Sequence, residues 1–241
     1  MAEITSYKFR IEPQDVDFTL RASVASVINY MLNVAGVDAH NKGFGVAALQ
    51  GQSFTWVLSR LAVEIKRQPM QYDDVSVQTW VNEFNRLSST RNFNVCLGDE
   101  VLASGVSQWC MLNMETRQAV DMSLLKDVYE RAMVDAPSPI AAPQRLRGAE
   151  YEVVMSRPVV YSDIDFNRHV NTMRYIDIIF DALPLEIVEQ NNGLRLDINF
   201  IAEARYGETL TLGVCREGDV WQFEISLNEG KTVCRAKVEF K

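Results

Sequence analysis

The chain of 241 residues is 47% hydrophobic and 23% charged, an ordinary globular composition, and its length allows one large domain or two small ones. Lys and Arg number 24 against 32 Asp and Glu, and a net charge of −8 argues against nucleic-acid binding by bulk charge. No apolar run approaches the ~20 residues of a membrane span. The opening MAEITSYKFR has neither the charged-then-apolar layout of a signal peptide nor the composition of a transit peptide, so a cytoplasmic protein is expected.

In chain order, Leu20, Val24, Val27, Ile28, Met31 and Leu32 fall at helical spacing and predict a helix over Thr19–Asn33. A Gly-rich stretch follows at 40–51, containing His40, Gly43, Gly45 and Gly51. No strand-to-helix phosphate motif frames it, and His40 reads as a surface residue. Val75, Val77 and Thr79 alternate as in a half-buried strand, and Gly98-Asp99 marks a turn. Pro137, Pro139 and Pro143 mark a linker over 136–148. A second helix is predicted over Arg168–Leu183 from Val170, Met173, Ile176, Ile179 and Phe180, with Pro184 ending it. Leu210, Leu212 and Val214, then Cys234, Ala236, Val238 and Phe240, repeat the strand alternation around a turn at Glu217-Gly218-Asp219. Each half thus reads as one long helix with several antiparallel strands, an α+β class.

The halves also resemble each other. Asp15-Val16-Asp17-Phe18 opens the first helix and Asp163-Ile164-Asp165-Phe166 the second, and the spacing from Val63 to Val75 repeats from Ile198 to Leu210. An internal duplication follows. Cys96, Cys110, Cys215 and Cys234 show no CxxC spacing and there are only two histidines, so no metal site is expected and the cysteines read as reduced core thiols.

Asp165, Asn167 and His169 sit at the predicted start of the second helix, where free N–H groups and the dipole favour negative charge. A carboxylate, an amide and an imidazole there can orient a carbonyl, stabilise an oxyanion and move a proton. Helix capping by Asp165 or Asn167 is the competing reading. The repeat sets Thr19 against Asn167, Arg21 against His169, and Gln68 against Glu203. Amide, imidazole and one carboxylate therefore occur only in the second half, as one working site beside a retired copy would have them.

The run DIDFNRHVNTMRYID (163–177) resembles the signature of acyl-acyl-carrier-protein thioesterases, and WVLSRLAVEI (56–65), DDVSVQTWV (73–81) and INFIAEARYGETL (198–210) extend the resemblance over nearly the whole chain. The lack of a transit peptide points to a bacterial type. The resemblance implies two tandem hotdog domains, each an antiparallel sheet wrapped around a long helix: 1–135 with the acyl-chain pocket and a degenerate site, the 136–148 linker, and a catalytic 149–241. It implies catalytic Asp165, Asn167, His169 and Glu203, with no cofactor and no metal. Plant members commonly carry Cys after the Glu, where this chain has Ala204. That favours water attack, with Asp165 orienting the Glu203 and His169 pair and Asn167 with a helix N–H holding the carbonyl. A covalent anhydride on Glu203 is the other scheme.

The implied substrate is a fatty acyl chain on acyl carrier protein, handled by a monomeric pseudo-dimer or a homodimer with no nucleic acid or membrane partner. An acidic carrier needs basic docking residues, for which Arg145, Arg147, Arg157, Arg168, Arg174, Lys66 and Arg67 are candidates. The alternatives are an acyl-CoA thioesterase, a hotdog hydratase, and a non-catalytic acyl-binding protein. Hydratases place Pro after the Asn and the His one residue later, unlike Asn167-Arg168-His169.

Overall fold

A computed structural model describes residues 2–49, 51, 53–190, 192–228 and 230–241, so Gln50 of the Gly-rich stretch lies outside the described residues. Two compact units divide the chain, Met1–Pro143 and Gln144–Lys241. The first contains β1 (Thr5–Arg10), α1 (Val24–Asn41), α2 (Val46–Leu49), β2 (Phe54–Ile65), β3 (Asp74–Phe84), β4 (Ser89–Leu97), β5 (Glu100–Asn113) and α3 (Lys126–Ala132). The second contains β6 (Glu152–Pro158), α4 (Thr172–Asp181), α5 (Leu185–Gln190), β7 (Leu194–Phe200), β8 (Thr209–Glu217), β9 (Val220–Leu227) and β10 (Thr232–Phe240).

Strands run β1-β3-β4-β5-β2 in the first unit and β6-β8-β9-β10-β7 in the second, antiparallel within each. Taken in chain order, that is the same topology twice. Each unit is the antiparallel sheet with one long helix expected of a hotdog.

α1 starts later and runs further than the spacing predicts. Ser23 caps it, its Oγ accepting from the Ser26 N–H at 3.0 Å, while Leu20 at φ 59° interrupts any earlier helix. Beyond Asn33 the buried stripe continues through Val34, Ala35, Asp38 and Ala39, so the helix persists to Asn41. Gly43 at φ 83° then stops it. α1 lies against β3 and β4, and a Cβ on Gly105 of β5 would come within 2.9 Å of the Met31 Sδ.

One member of the α1 stripe is charged. Asp38 is 1% exposed, and its Oδ2 accepts from Arg91 Nη1 at 2.7 Å. Arg91 Nη1 also donates to Thr79 Oγ1 at 3.1 Å, its guanidinium sits 5.7 Å from the Phe44 ring centre, and Lys42 Nζ lies 3.0 Å from Asp38 Oδ1. The segment read as a linker is pinned rather than free. Asn82 Nδ2 donates to the Ala136 carbonyl, and the buried Asp197 and Asn199 accept from the N–H groups of Gln144 and Leu146.

Candidate active site

α4 begins at Thr172, with Asn171 as its cap accepting from the Met173 N–H at 2.8 Å. This corrects the predicted helix start at Arg168: Asp165, Asn167 and His169 precede the helix in a tight loop, and neither Asp165 nor Asn167 caps it. The reason is local. Arg168 adopts φ 64°, a left-handed conformation that a helix cannot contain, and Ile164 and Val170 pair as an antiparallel bridge closing the loop.

Asp165 braces the loop from inside. Its Oδ1 accepts from the backbone N–H of Asn167 at 2.8 Å and of His169 at 3.1 Å, while its own N–H donates to the His169 carbonyl. The expected orientation of the His–Glu pair by the Asp165 carboxylate is therefore indirect, acting through the main chain of His169.

The backbone N–H of His169 and of Arg168 are both committed to Asp165, that of Val170 to the Ala204 carbonyl, and that of Asn171 to the Asp163 carbonyl. The Asn167 side-chain amide has no hydrogen bond to a described residue and is half-buried.

A bridge between His169 and Arg205 brings the segment after β7 against the loop. His169 Nε2 lies 3.1 Å from Glu203 Oε2, the imidazole 17% and the carboxylate 34% exposed. A bare ring nitrogen would repel the carboxylate, so Nε2 is the ring position that donates to it. Ala204 is fully buried. Among the described residues no three His, Cys, Asp or Glu side chains are grouped to hold a metal ion.

The first half builds the same loop with different side chains. Val16 and Ala22 form the bridge, Arg21 pairs with Met70, and Asp17 Oδ1 accepts from the Thr19 N–H at 2.8 Å. Ala22 N–H donates to the Pro69 carbonyl as Val170 does to that of Ala204. This places Gln68 opposite Glu203, as the repeat predicts. Gln68 Nε2 donates to the Ala22 carbonyl, and Arg21 Nε donates to Thr19 Oγ1. Removing a carboxylate that accepts such bonds costs ~1.5–3 kcal/mol. We expect Asp17→Ala and Asp165→Ala to lose similar amounts in denaturant unfolding, with turnover falling only for Asp165→Ala.

None of the four cysteines is bonded to another, and none belongs to this loop. Burial pushes the thiols of Cys96, Cys110 and Cys234 up, away from the thiolate a nucleophile needs. Single Ala variants of all four should keep turnover per folded molecule within about two-fold in a thioester assay, while Cys234→Ala, at a fully buried position, lowers the melting temperature. One folded but inactive Cys variant would restore a thiol nucleophile.

The family model described as the acyl-ACP thioesterase N-terminal domain matches residues 3–131, and that of the C-terminal domain matches 149–241. The chain belongs to the acyl-ACP thioesterase family. A solved acyl-ACP thioesterase from Bacteroides thetaiotaomicron is 36% identical with a TM-score of 0.90, over 99% of this chain and 98% of that one. The 12:0-ACP thioesterase from Umbellularia californica shares the fold, with 21% identity and a TM-score of 0.86 over 99% and 97%. The dodecanoyl-[acyl-carrier-protein] hydrolase of Cinnamomum camphora is 25% identical over 253 residues, 97% of this chain and 66% of that protein. The chain spans less than two thirds of the length of several curated thioesterase relatives that it matches. No helix among the described residues is long and apolar enough to cross a membrane.

The brace role of Asp165 and the buried charge of Asp38 were not read from the sequence. Asp165 as a loop brace was signalled by its recurrence as Asp17 in the half that lacks the other site groups. Asp38 was signalled by lying on the apolar stripe of α1. Of the candidate docking residues, Arg157 pairs with Asp163, Arg174 with Asp177, and Arg67 with Glu100. Arg145, Arg147, Arg168 and Lys66 are exposed, and their side chains make no hydrogen bond or ion pair with described residues.

Proposed function

We propose that this chain hydrolyses fatty acyl-acyl-carrier-protein thioesters, releasing the free fatty acid and ending chain elongation. The 3.1 Å contact between His169 Nε2 and Glu203 Oε2 carries the reading, because the same loop in the first half has Arg21 and Gln68 in those places. In this reading residues 149–241 are catalytic, residues 1–135 receive the acyl chain, and 136–148 connect them.

Asn167 Nδ2 holds the thioester carbonyl and stabilises the oxyanion that water attack creates there. Glu203 takes the proton from that water, with His169 held against it. Collapse of the tetrahedral intermediate breaks the C–S bond, and the proton passes to the departing thiolate. Asp165 fixes the backbone of Asn167 and His169 and so sets the distance between oxyanion donor and base. All four residues belong to one unit, so the site needs no second copy of the chain. Four unbridged cysteines accord with a cytoplasmic setting.

The test is release of free fatty acid from medium- and long-chain acyl-carrier thioesters without added metal, beside the same chains on coenzyme A. Hydrolysis favouring the carrier is the expected result. Preference for coenzyme A would overturn the carrier assignment. No turnover on either would favour an acyl-binding protein.

A further inference from the structure

Tyr175 stands four residues after the Asn171 cap of α4. It is 4% exposed, and its ring centre lies 6.1 Å from that of Phe200 at the end of β7. Its hydroxyl oxygen is buried and completes no hydrogen bond with a described residue. Buried hydroxyls are normally paired, so one held loosely in a core asks for a reason. The backbone group that faces it is the N–H of Ala204, next to Glu203 in the chain. The titratable groups that face it are Cys234 of β10 and Glu203 and Glu208 of the segment after β7. Burial first, then Cys234, Glu203 and Glu208, push the phenol up against the opposing pull of the Ala204 N–H, so the hydroxyl keeps its proton.

The repeat separates this hydroxyl from the demands of the fold. Ser23 and Asn171 cap α1 and α4, and Val27 stands four residues on where Tyr175 stands in the second half. Val27 is buried too, so an apolar side chain satisfies that helix position. Pro69 stands opposite Ala204, because Ala22 and Val170 donate to the carbonyls of those two residues. Proline has no N–H to offer. The half with Arg21 and Gln68 therefore lacks both the hydroxyl and the N–H, while the half with the His–Glu pair has both.

We infer that Tyr175 is a positioning residue for Glu203: its hydroxyl engages the Ala204 N–H and fixes the main chain that aims the carboxylate at His169 and at the attacking water. This rests on the thioester hydrolase reading above and adds to it a group that touches no reacting atom. The Ala204 N–H belongs to the planar peptide unit joining Glu203 to Ala204, so holding it sets the backbone direction of Glu203. The other holds on this segment, the Val170 bond to the Ala204 carbonyl and the bridge between His169 and Arg205, lie beyond that unit. Asp165 braces the loop that carries His169, and Tyr175 supplies the matching brace under Glu203. A hydrogen bond that is loose in the free protein tightens in the Michaelis complex. A base misplaced by about 1 Å loses up to ~10²-fold in rate, which gives such a brace its value.

The test is Tyr175→Phe, which keeps the ring and removes only the hydroxyl, in wild type and in Glu203→Gln. In wild type it should lower kcat about ten-fold, as loss of one neutral hydrogen bond does, with KM within about two-fold. The melting temperature should not fall, since the hydroxyl was not fully paired. In Glu203→Gln the same change should move the residual turnover by less than about two-fold, because the group it positions is no longer a base. Hydrogen exchange reads the contact without turnover. The Ala204 N–H should exchange about five-fold faster in Tyr175→Phe, with that of Val170 unchanged. Unchanged kcat, a loss in KM alone, an equal loss in both backgrounds, or unchanged exchange at Ala204 each overturns the assignment. If exchange at Ala204 responds while wild type hydrolyses no thioester, the brace under Glu203 stands and the hydrolase reading falls.

Discussion

Glu203→Gln and His169→Ala should each lower turnover by about 10²–10⁴-fold, the usual effect of losing an acid–base group. The Gln variant is nearly isosteric, keeps an acceptor for the imidazole N–H, and removes only the ability to take a proton from water. Melting temperatures should therefore stay near wild type, and the loss should fall on kcat rather than KM. The matched control is the first half. Gln68→Ala and Thr19→Ala remove groups at the corresponding places, and turnover should stay within a few-fold. Arg21→Ala removes a methylene stem as well as a charge, so its folding must be checked before its rate is compared. Equal losses in both halves would mean that the second loop has no privileged chemistry.

The largest effect on stability is expected at Asp38. Removing one partner of a buried ion pair leaves the other charge uncompensated, which costs about 3–5 kcal/mol. Asp38→Ala strands Arg91, whose guanidinium is itself buried, and denaturant unfolding should register a loss of that size. Replacing both, as Asp38→Leu with Arg91→Met, should recover most of it, because two apolar chains of similar volume need no partner. A single-variant loss below about 1 kcal/mol would mean that water reaches the pair.

The pH dependence follows with a definite sign. Burial alone would raise the Asp38 carboxyl, but the Arg91 guanidinium and then the Lys42 ammonium overrule it and hold it below the usual carboxylate range. Its contribution to stability is complete above the unfolded value of about 3.9 and disappears as pH falls through the lower folded value. Wild type should therefore lose stability steeply below about pH 4, and the double variant less steeply.

The repeat, the fold class and the pairing of Gln68 with Glu203 were legible because they rest on periodicity and spacing. Strand alternation reports which face is covered, and a shared interval between two strand starts survives large changes in side chain. The helix starts were not legible. Val16 to Ala22 and Ile164 to Val170 contain apolar residues at spacings a helix would also produce, yet the left-handed residues Leu20 and Arg168 turn the chain back on itself. Neither is Gly or Asn, the usual signals of such a turn. The contact between His169 and Glu203 joins residues 34 positions apart, so no local spacing announces it, and the repeat and the family resemblance pointed only to a shared site. The Asp38 and Arg91 pair was readable in half: Asp38 fits the helical period of apolar neighbours, whereas nothing near Arg91 announces its partner.

Three carboxylates recur at matched places in the two loops. Asp15 and Asp163 accept the N–H of Glu12 and Val160, Asp17 and Asp165 those of Thr19 and Asn167, and Asp73 and Glu208 those of Met70 and Arg205. Together with main-chain bonds these acids shape the turn in both halves, and Asp165, one of them, is also a candidate site residue. Residues 19, 21 and 68 differ from 167, 169 and 203 on that shared turn, although Thr19, Arg21 and Gln68 make bonds of their own within the first loop. A turn kept by the same acids in both copies lets a tandem repeat diverge at a handful of positions while each copy retains its shape.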